Sequence, residues 1–231
     1  MKRLLILDLD NTFYTYDHSH SIGLEKSFEY QKIFKSFEEF QISYEKAKSE
    51  TQDEIPMSPS KHSKLIYFKK MFSNKLSLNE INKIENKYWT EFIKNTKLQT
   101  KAIERLKKEK NSDNVYFLFT NQNLNTQLRK IDEWGIDIFD LIITSEESGY
   151  EKPRQEFYNF VKSPVNKYYE KGYKVFALGD SFKNDLDYWI NEYNAECYLI
   201  NNDLSEVLFS NGLKNTNLDI SIDEIFNYSD S

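Results

Sequence analysis

A single cysteine, Cys197, is all that the 231 residues contain, which excludes an intrachain disulfide and any multi-cysteine zinc site. This fits a reducing cytosol, and within "ECYLIN" the thiol is expected to lie buried in a strand. Excess positive charge is also missing. Lys and Arg number 31 against 37 Asp and Glu, a net charge of -6, so no basic surface for nucleic acid or an anionic membrane is expected. Nor is there a long apolar run: the opening "MKRLL" resembles a signal start, but Asp8 interrupts it too early for a signal-peptide core or a membrane span. A soluble, cytosolic protein is expected. Glycine is scarce, at six residues, and proline scarcer, at four; two of the prolines, Pro56 and Pro59, mark "IPMSPSKHS" as a loop. Of the three histidines, His18 and His20 lack the i, i+4 spacing of a helical metal pair, and no cysteine assists His62. All three are expected at the surface.

Short apolar runs, by contrast, recur along the chain. "LLILDLDNT", residues 4 to 12, reads as a buried parallel strand whose carboxyl end holds two acids, and the carboxyl ends of such strands are where open α/β sheets bind ligands. Four further runs match it: "VYFLFT" (115–120), "LIITS" (141–145), "VFALGD" (175–180) and "ECYLIN" (196–201). Between them lie helical stretches, such as "NLNTQLRKIDEWG", with Leu124, Leu128 and Ile131 on one face and Gly135 placed to stop the helix. This alternation predicts an α/β fold with a Rossmann-like parallel sheet. The rhythm breaks once, because about 100 residues separate the first two strands where a crossover needs about 30. Residues 14–98 hold helical patterns, including "SLNEINKIENKYWTEFIKN" with the capping-box pair Ser77 and Glu80, and aromatic residues (Phe28, Phe34, Tyr67, Phe68, Trp89, Phe92) at near-helical intervals. An all-helical insertion at 14–98 in a core of 1–13 and 99–231 is expected.

Collecting the polar residues at the strand ends gives Asp8 and Asp10, then Thr120 and Asn121, then Lys152 in "GYEKPRQEF", then Asp180 and Asp185. So many carboxylates at one sheet edge repel one another without a cation, and Mg²⁺, a hard ion that takes oxygen ligands, resolves that repulsion. The ordered set resembles the haloacid dehalogenase superfamily of phosphohydrolases: "DLDNT" is similar to its first motif, "LFTN" to its second, "EKP" to its third and "LGDSFKND" to its fourth. An insertion directly after the first motif is similar to members with a helical C1-type cap, and "DLDNTFY" to the opening of pyrimidine 5'-nucleotidase-like members.

The resemblance implies a role for each residue. Asp8 would be the nucleophile, forming an aspartyl-phosphate, and Asp10 the acid and base, with a carboxyl pKa raised by burial and nearby charge. Thr120 and Asn121 would donate to the phosphoryl oxygens, Asn121 through its backbone or side chain, and Lys152 would neutralise the phosphoryl group and Asp8. Mg²⁺ would be held by Asp8, Asp180 and the carbonyl of Asp10, with Asp185 and Asn184 supporting it. Dehalogenases lack the second acid, so Asp10 favours a phosphate ester. The implied activity is a phosphatase for a small phosphorylated metabolite, a nucleotide or sugar phosphate. The alternatives are a phosphomutase of the same superfamily and a catalytically silent binding protein; oligomeric state is left open. Arginine is absent from 14–98, so any second anionic group of a substrate would be met there by lysine, histidine or backbone donors. Lys61, His62 and Lys64 in "SPSKHSK" are the candidates; their ordinary alternative is a solvated polar loop.

Overall fold

The computed structural model describes residues 1–210 and 213–227. Strand β1 (Arg3–Leu7) has four consecutive buried aliphatic residues, as a strand covered on both faces requires. Helices α1 (Tyr16–Tyr30), α2 (Phe37–Glu54), α3 (Lys64–Met71) and α4 (Leu78–Lys94) follow, with one 3-10 turn at Pro59–His62, so every regular element between Tyr16 and Lys94 is helical. The chain continues through α5 (Thr100–Glu109), β2 (Asn114–Thr120), α6 (Leu124–Glu133), β3 (Leu141–Thr144), α7 (Ser145–Ser148), α8 (Gln155–Tyr169) and β4 (Lys174–Gly179). A π-helical turn, Phe182–Leu186, leads to α9 (Asp187–Tyr193), β5 (Glu196–Ile200), β6 (Leu208–Ser210), β7 (Leu213–Thr216) and α10 (Leu218–Asn227).

Among the described residues the sheet has seven strands in the order β3-β2-β1-β4-β5-β7-β6, and all neighbours are parallel except β6 and β7. The five expected strands are all present. The hairpin of β6 and β7 was not expected, because three- and four-residue strands are too short for alternation to register. Alternation sorts the side chains of the central strands to two sides. Leu5, Leu7, Tyr116, Leu118, Phe176 and Leu178 join the core that runs on into the helical insertion, while Leu4, Ile6, Val115, Phe117, Val175 and Ala177 face α8 and α9.

The insertion is held by aromatic packing. Phe34, Tyr67, Phe68, Trp89 and Phe92 are buried there as expected, and Phe28 is partly so. Ser77 and Glu80 form the expected capping box at the start of α4. The two chain crossings into the insertion run side by side, with the Gln99 N–H donating to the Phe13 carbonyl at 2.9 Å. One helix face departs from expectation. In α6 the residues turned inward are Gln127, Lys130 and Ile131, whereas Leu128 is 44% exposed. Polar partners waiting inside outweigh the apolar periodicity. Gly135, at φ +61, ends the helix as predicted.

Candidate active site

Strand register brings the site together. Leu7 lies opposite Leu118 of β2 and Leu178 of β4, so the three central strands end level and release Asp8, Thr120 and Asp180 at the same edge. A cleft of about 360 Å³ opens there, lined by Asp8, Asp10, Thr120, Lys152, Asp180 and Asp185 among others. Asn121, too, lines it.

Lys152 is buried to 5% exposure, and its ammonium donates to Asp8 Oδ1 at 2.9 Å, Asp185 Oδ1 at 2.6 Å and the Phe119 carbonyl at 2.7 Å. Three donors and three acceptors saturate it. Asp185 is fixed on its other oxygen by the Ser181 N–H at 3.0 Å, inside the π-helical turn. Gly179 makes that placement feasible, since a Cβ there would stand 2.3 Å from the Cβ of Asp185. Carboxylate oxygens of Asp8, Asp180 and Asp185 lie within 4.8 Å of one another. Burial raises the Asp8 carboxyl well above its ordinary 3.8 despite Lys152, and Asp185, Asp10 and Asp180 add to the rise. Desolvation and Asp185 likewise raise Asp180. One ammonium leaves this cluster short of positive charge, and an all-oxygen donor set of this span fits a hard divalent cation such as Mg²⁺.

Thr120 is fully buried, and its Oγ accepts from the Gln127 amide at 2.6 Å. With that lone pair used, its hydrogen is free to donate into the cleft. Asn121 differs from one of its two expected uses: its side chain grips the backbone of Lys152, donating to the carbonyl at 2.9 Å and accepting from the N–H at 2.7 Å. The side chain thus ties the end of β2 to the backbone of Lys152.

Asp10 requires a correction. Burial raises its carboxyl most, but the charge of Lys130 and the hydrogen bonds from Lys130, Tyr14 and Gln127 together outweigh it and give a net lowering. Lys130 donates to Oδ1 at 2.5 Å, the Tyr14 hydroxyl donates to the same oxygen, and the Gln127 amide donates to Oδ2 at 2.8 Å. Asp10 is therefore ionised in this pocket. Neither Gln127 nor Lys130 stood out in the sequence, although two polar residues one turn apart on an amphipathic helix are the trace such partners leave.

The Pro59–His62 turn reaches across from the insertion. Lys61 and His62 pair with Glu151 at 2.6 and 2.9 Å, beside Lys152, and His62 lines the cleft. Lys64 makes no ion pair among the described residues; it is 8% exposed, and its ammonium lies 5.6 and 5.3 Å from the ring centres of Tyr16 and Tyr67. These are not solvated loop groups. His20 is likewise not at the surface: it is mostly buried at 2.6 Å from the Tyr88 hydroxyl, and burial takes its pKa down to about 3. His18 is exposed as expected. Cys197 is buried in β5, and burial pushes its thiol up to about 12.

Known proteins resemble the chain along most of its length. The chain is 26% identical over 196 residues, 80% of each protein, to the ribulose-1,5-bisphosphate 5-phosphatase of Halopiger xanaduensis. Its fold matches a haloacid dehalogenase-type hydrolase of Bacillus subtilis, solved bound to magnesium, with a TM-score of 0.66 and 18% identity over 98% of this chain and 99% of that one. It also matches a β-phosphoglucomutase-type structure from Thermotoga maritima, with a TM-score of 0.61 and 16% identity over 98% and 100% of the two chains. The model of the haloacid dehalogenase-like hydrolases matches residues 2–187, from β1 to the start of α9, and the chain belongs to that family.

Proposed function

We propose that this hydrolase is a Mg²⁺-dependent phosphatase that cleaves a small phosphomonoester through an aspartyl-phosphate on Asp8. The convergence of Asp8, Thr120, Lys152 and the acidic group on one cleft carries this reading. Asp8, Asp180 and the Asp10 carbonyl would hold Mg²⁺ with the support of Asp185, and the bound ion supplies charge neutralisation for the phosphoryl oxygens. Asp8 attacks phosphorus as the ester P–O bond breaks, and Asp10 passes a proton to the departing oxygen. Water then attacks the aspartyl-phosphate, the P–O bond to Asp8 breaks, and Asp10 takes a proton from that water. Its ionised state suits the second half directly. In the first half, the negative charge of the incoming phosphoryl group favours the protonation that Lys130 opposes. Thr120 and the Asn121 N–H donate to phosphoryl oxygens, and Lys152 balances their charge.

We read the helical insertion, residues 14–98, as a cap over this cleft, with its hinges in the paired crossings near Phe13–Asp17 and Asn95–Thr100. Such a cap excludes water and contacts the leaving group. Of the three cap-loop residues, Lys61 and His62 are engaged by Glu151 and Lys64 is buried against Tyr16 and Tyr67; His62, which lines the cleft, would meet a second polar or anionic group of a substrate. The Halopiger relative is a sugar-bisphosphate phosphatase by name, which favours the sugar phosphate class over nucleotides.

Phosphate release measured over a panel of sugar phosphates, nucleotides and an aryl phosphate tests the proposal. Release from at least one class, abolished by Asp8→Asn, is expected. No release from any of them in the presence of Mg²⁺ would overturn it. The Thermotoga neighbour favours the phosphomutase as second reading, distinguished by an isomeric sugar phosphate as product in place of inorganic phosphate.

A further inference from the structure

The Asp10 carboxylate has about four lone-pair positions, and three are taken. Tyr14 and Lys130 occupy both on Oδ1, and Gln127 occupies one on Oδ2. One position on Oδ2 is left, and Asp10 lines the cleft. All three partners are fully buried, so the clamp is rigid and closed to water.

The same clamp touches the insertion. The Lys130 ammonium lies 5.6 Å from the ring centres of both Trp89 and Phe92, on the inner side of α4, and 3.0 Å from the Tyr14 hydroxyl in the crossing segment. Trp134, just past α6, donates its indole N–H to the carbonyl of Ile93 at 3.2 Å, which fixes α4 against the end of α6. A buried ammonium needs a partner, and here one face meets a carboxylate while the others meet rings from the insertion. Gln127 extends the linkage, because the same amide nitrogen holds Asp10 and Thr120.

We propose that Lys130 is a positioning residue that aims Oδ2 of Asp10 at the leaving-group oxygen, and that the rings of Trp89 and Phe92 hold Lys130 in place, so that the seating of α4 on α6 sets the alignment of the acid. The proposal rests on the role given to Asp10 above. It assigns a part in the chemistry to residues of the insertion that do not line the cleft.

The test compares kcat/KM for an alkyl or sugar phosphate, whose leaving oxygen needs a proton, with that for nitrophenyl phosphate, whose leaving group needs little help. Lys130→Met is expected to lower the first by about 30- to 100-fold and the second by less than about 5-fold, the first loss reaching at most the lower end of the 10²–10⁴ range of general acid catalysis, as misalignment rather than removal of the acid would give. Trp89→Leu should show the same selectivity at smaller size, and Lys130→Arg should restore part of it. In an Asp10→Asn background, Lys130→Met should add nothing, because the group it aims is gone. Equal losses on both substrates, or a loss in the Asp10→Asn background as large as in wild type, would overturn the proposal. Should Lys130→Met fail to fold, Trp89→Leu and Lys130→Arg carry the same comparison. Failure of the phosphatase assignment itself is distinct, since wild type would then hydrolyse neither substrate.

Discussion

Asp8 and Asp180 were legible in the sequence because each follows a run of buried strand residues, and a level sheet edge converts that order into proximity. Asp8→Asn keeps the volume and the acceptor for Lys152 while removing the nucleophile. Turnover should fall to background, with Tm unchanged within about 5 °C, a shift of 1–2 kcal/mol at this size; calorimetry beside a phosphate-release assay checks both. Gly179→Ala should act at a distance of one side chain. The added Cβ must displace Asp185, so the Mg²⁺ concentration giving half-maximal activity should rise by about 10- to 100-fold, as happens when a supporting ligand partner is lost. An unchanged Mg²⁺ requirement would show that Asp185 does not support the metal. His62→Ala should raise KM for sugar phosphates about 10-fold and leave nitrophenyl phosphate unaffected, which steady-state kinetics would reveal. The partners of Asp10 were not legible: Lys130 lies 120 positions away in sequence, and Leu124, Leu128 and Ile131 offered a plausible apolar face of which the structure turns Leu128 out while Ile131 stays in beside Gln127 and Lys130.

Elements show the same division. Long periodic helices such as α4 could be read with their caps, because capping chemistry is local. The hairpin β6 and β7 and the inward face of α6 depend on tertiary partners and could not. Contact between elements also carries the pH response. Glu151 on the core side holds Lys61 and His62 of the Pro59–His62 turn, and although burial opposes it, these partners lower its carboxyl below the ordinary 4.5. A lowered carboxyl contributes stability above its unfolded pKa and loses it as pH falls through the folded one. Glu151→Gln should therefore be less stable than wild type by about 1 kcal/mol near pH 7, and the gap should close as pH falls below about 4.5. Urea unfolding at several pH values measures it; a gap that persists at acid pH would contradict the ionic origin of this contact.

For the whole molecule, the acidic cluster predicts a strict metal requirement. Hydrolysis should vanish in excess chelator and return with Mg²⁺ but poorly with Ca²⁺, whose larger shell and longer bonds favour binding both Asp8 oxygens and leave neither for attack. Full turnover in chelator would exclude the proposed site. None of the helices among the described residues is long and apolar enough to cross a membrane, and the sequence's alternation of strand and helix yielded the sheet correctly, since the order of short apolar runs is a global property that survives local errors. The seam between α4 and α6 has one more consequence. Two of the three tryptophans, Trp89 and Trp134, stand on it, while Trp189 is packed behind the sheet at 1% exposure. The molecule thus carries its own optical gauge: lifting α4 would bring water to two indoles and redden their emission, while the third supplies a constant internal background.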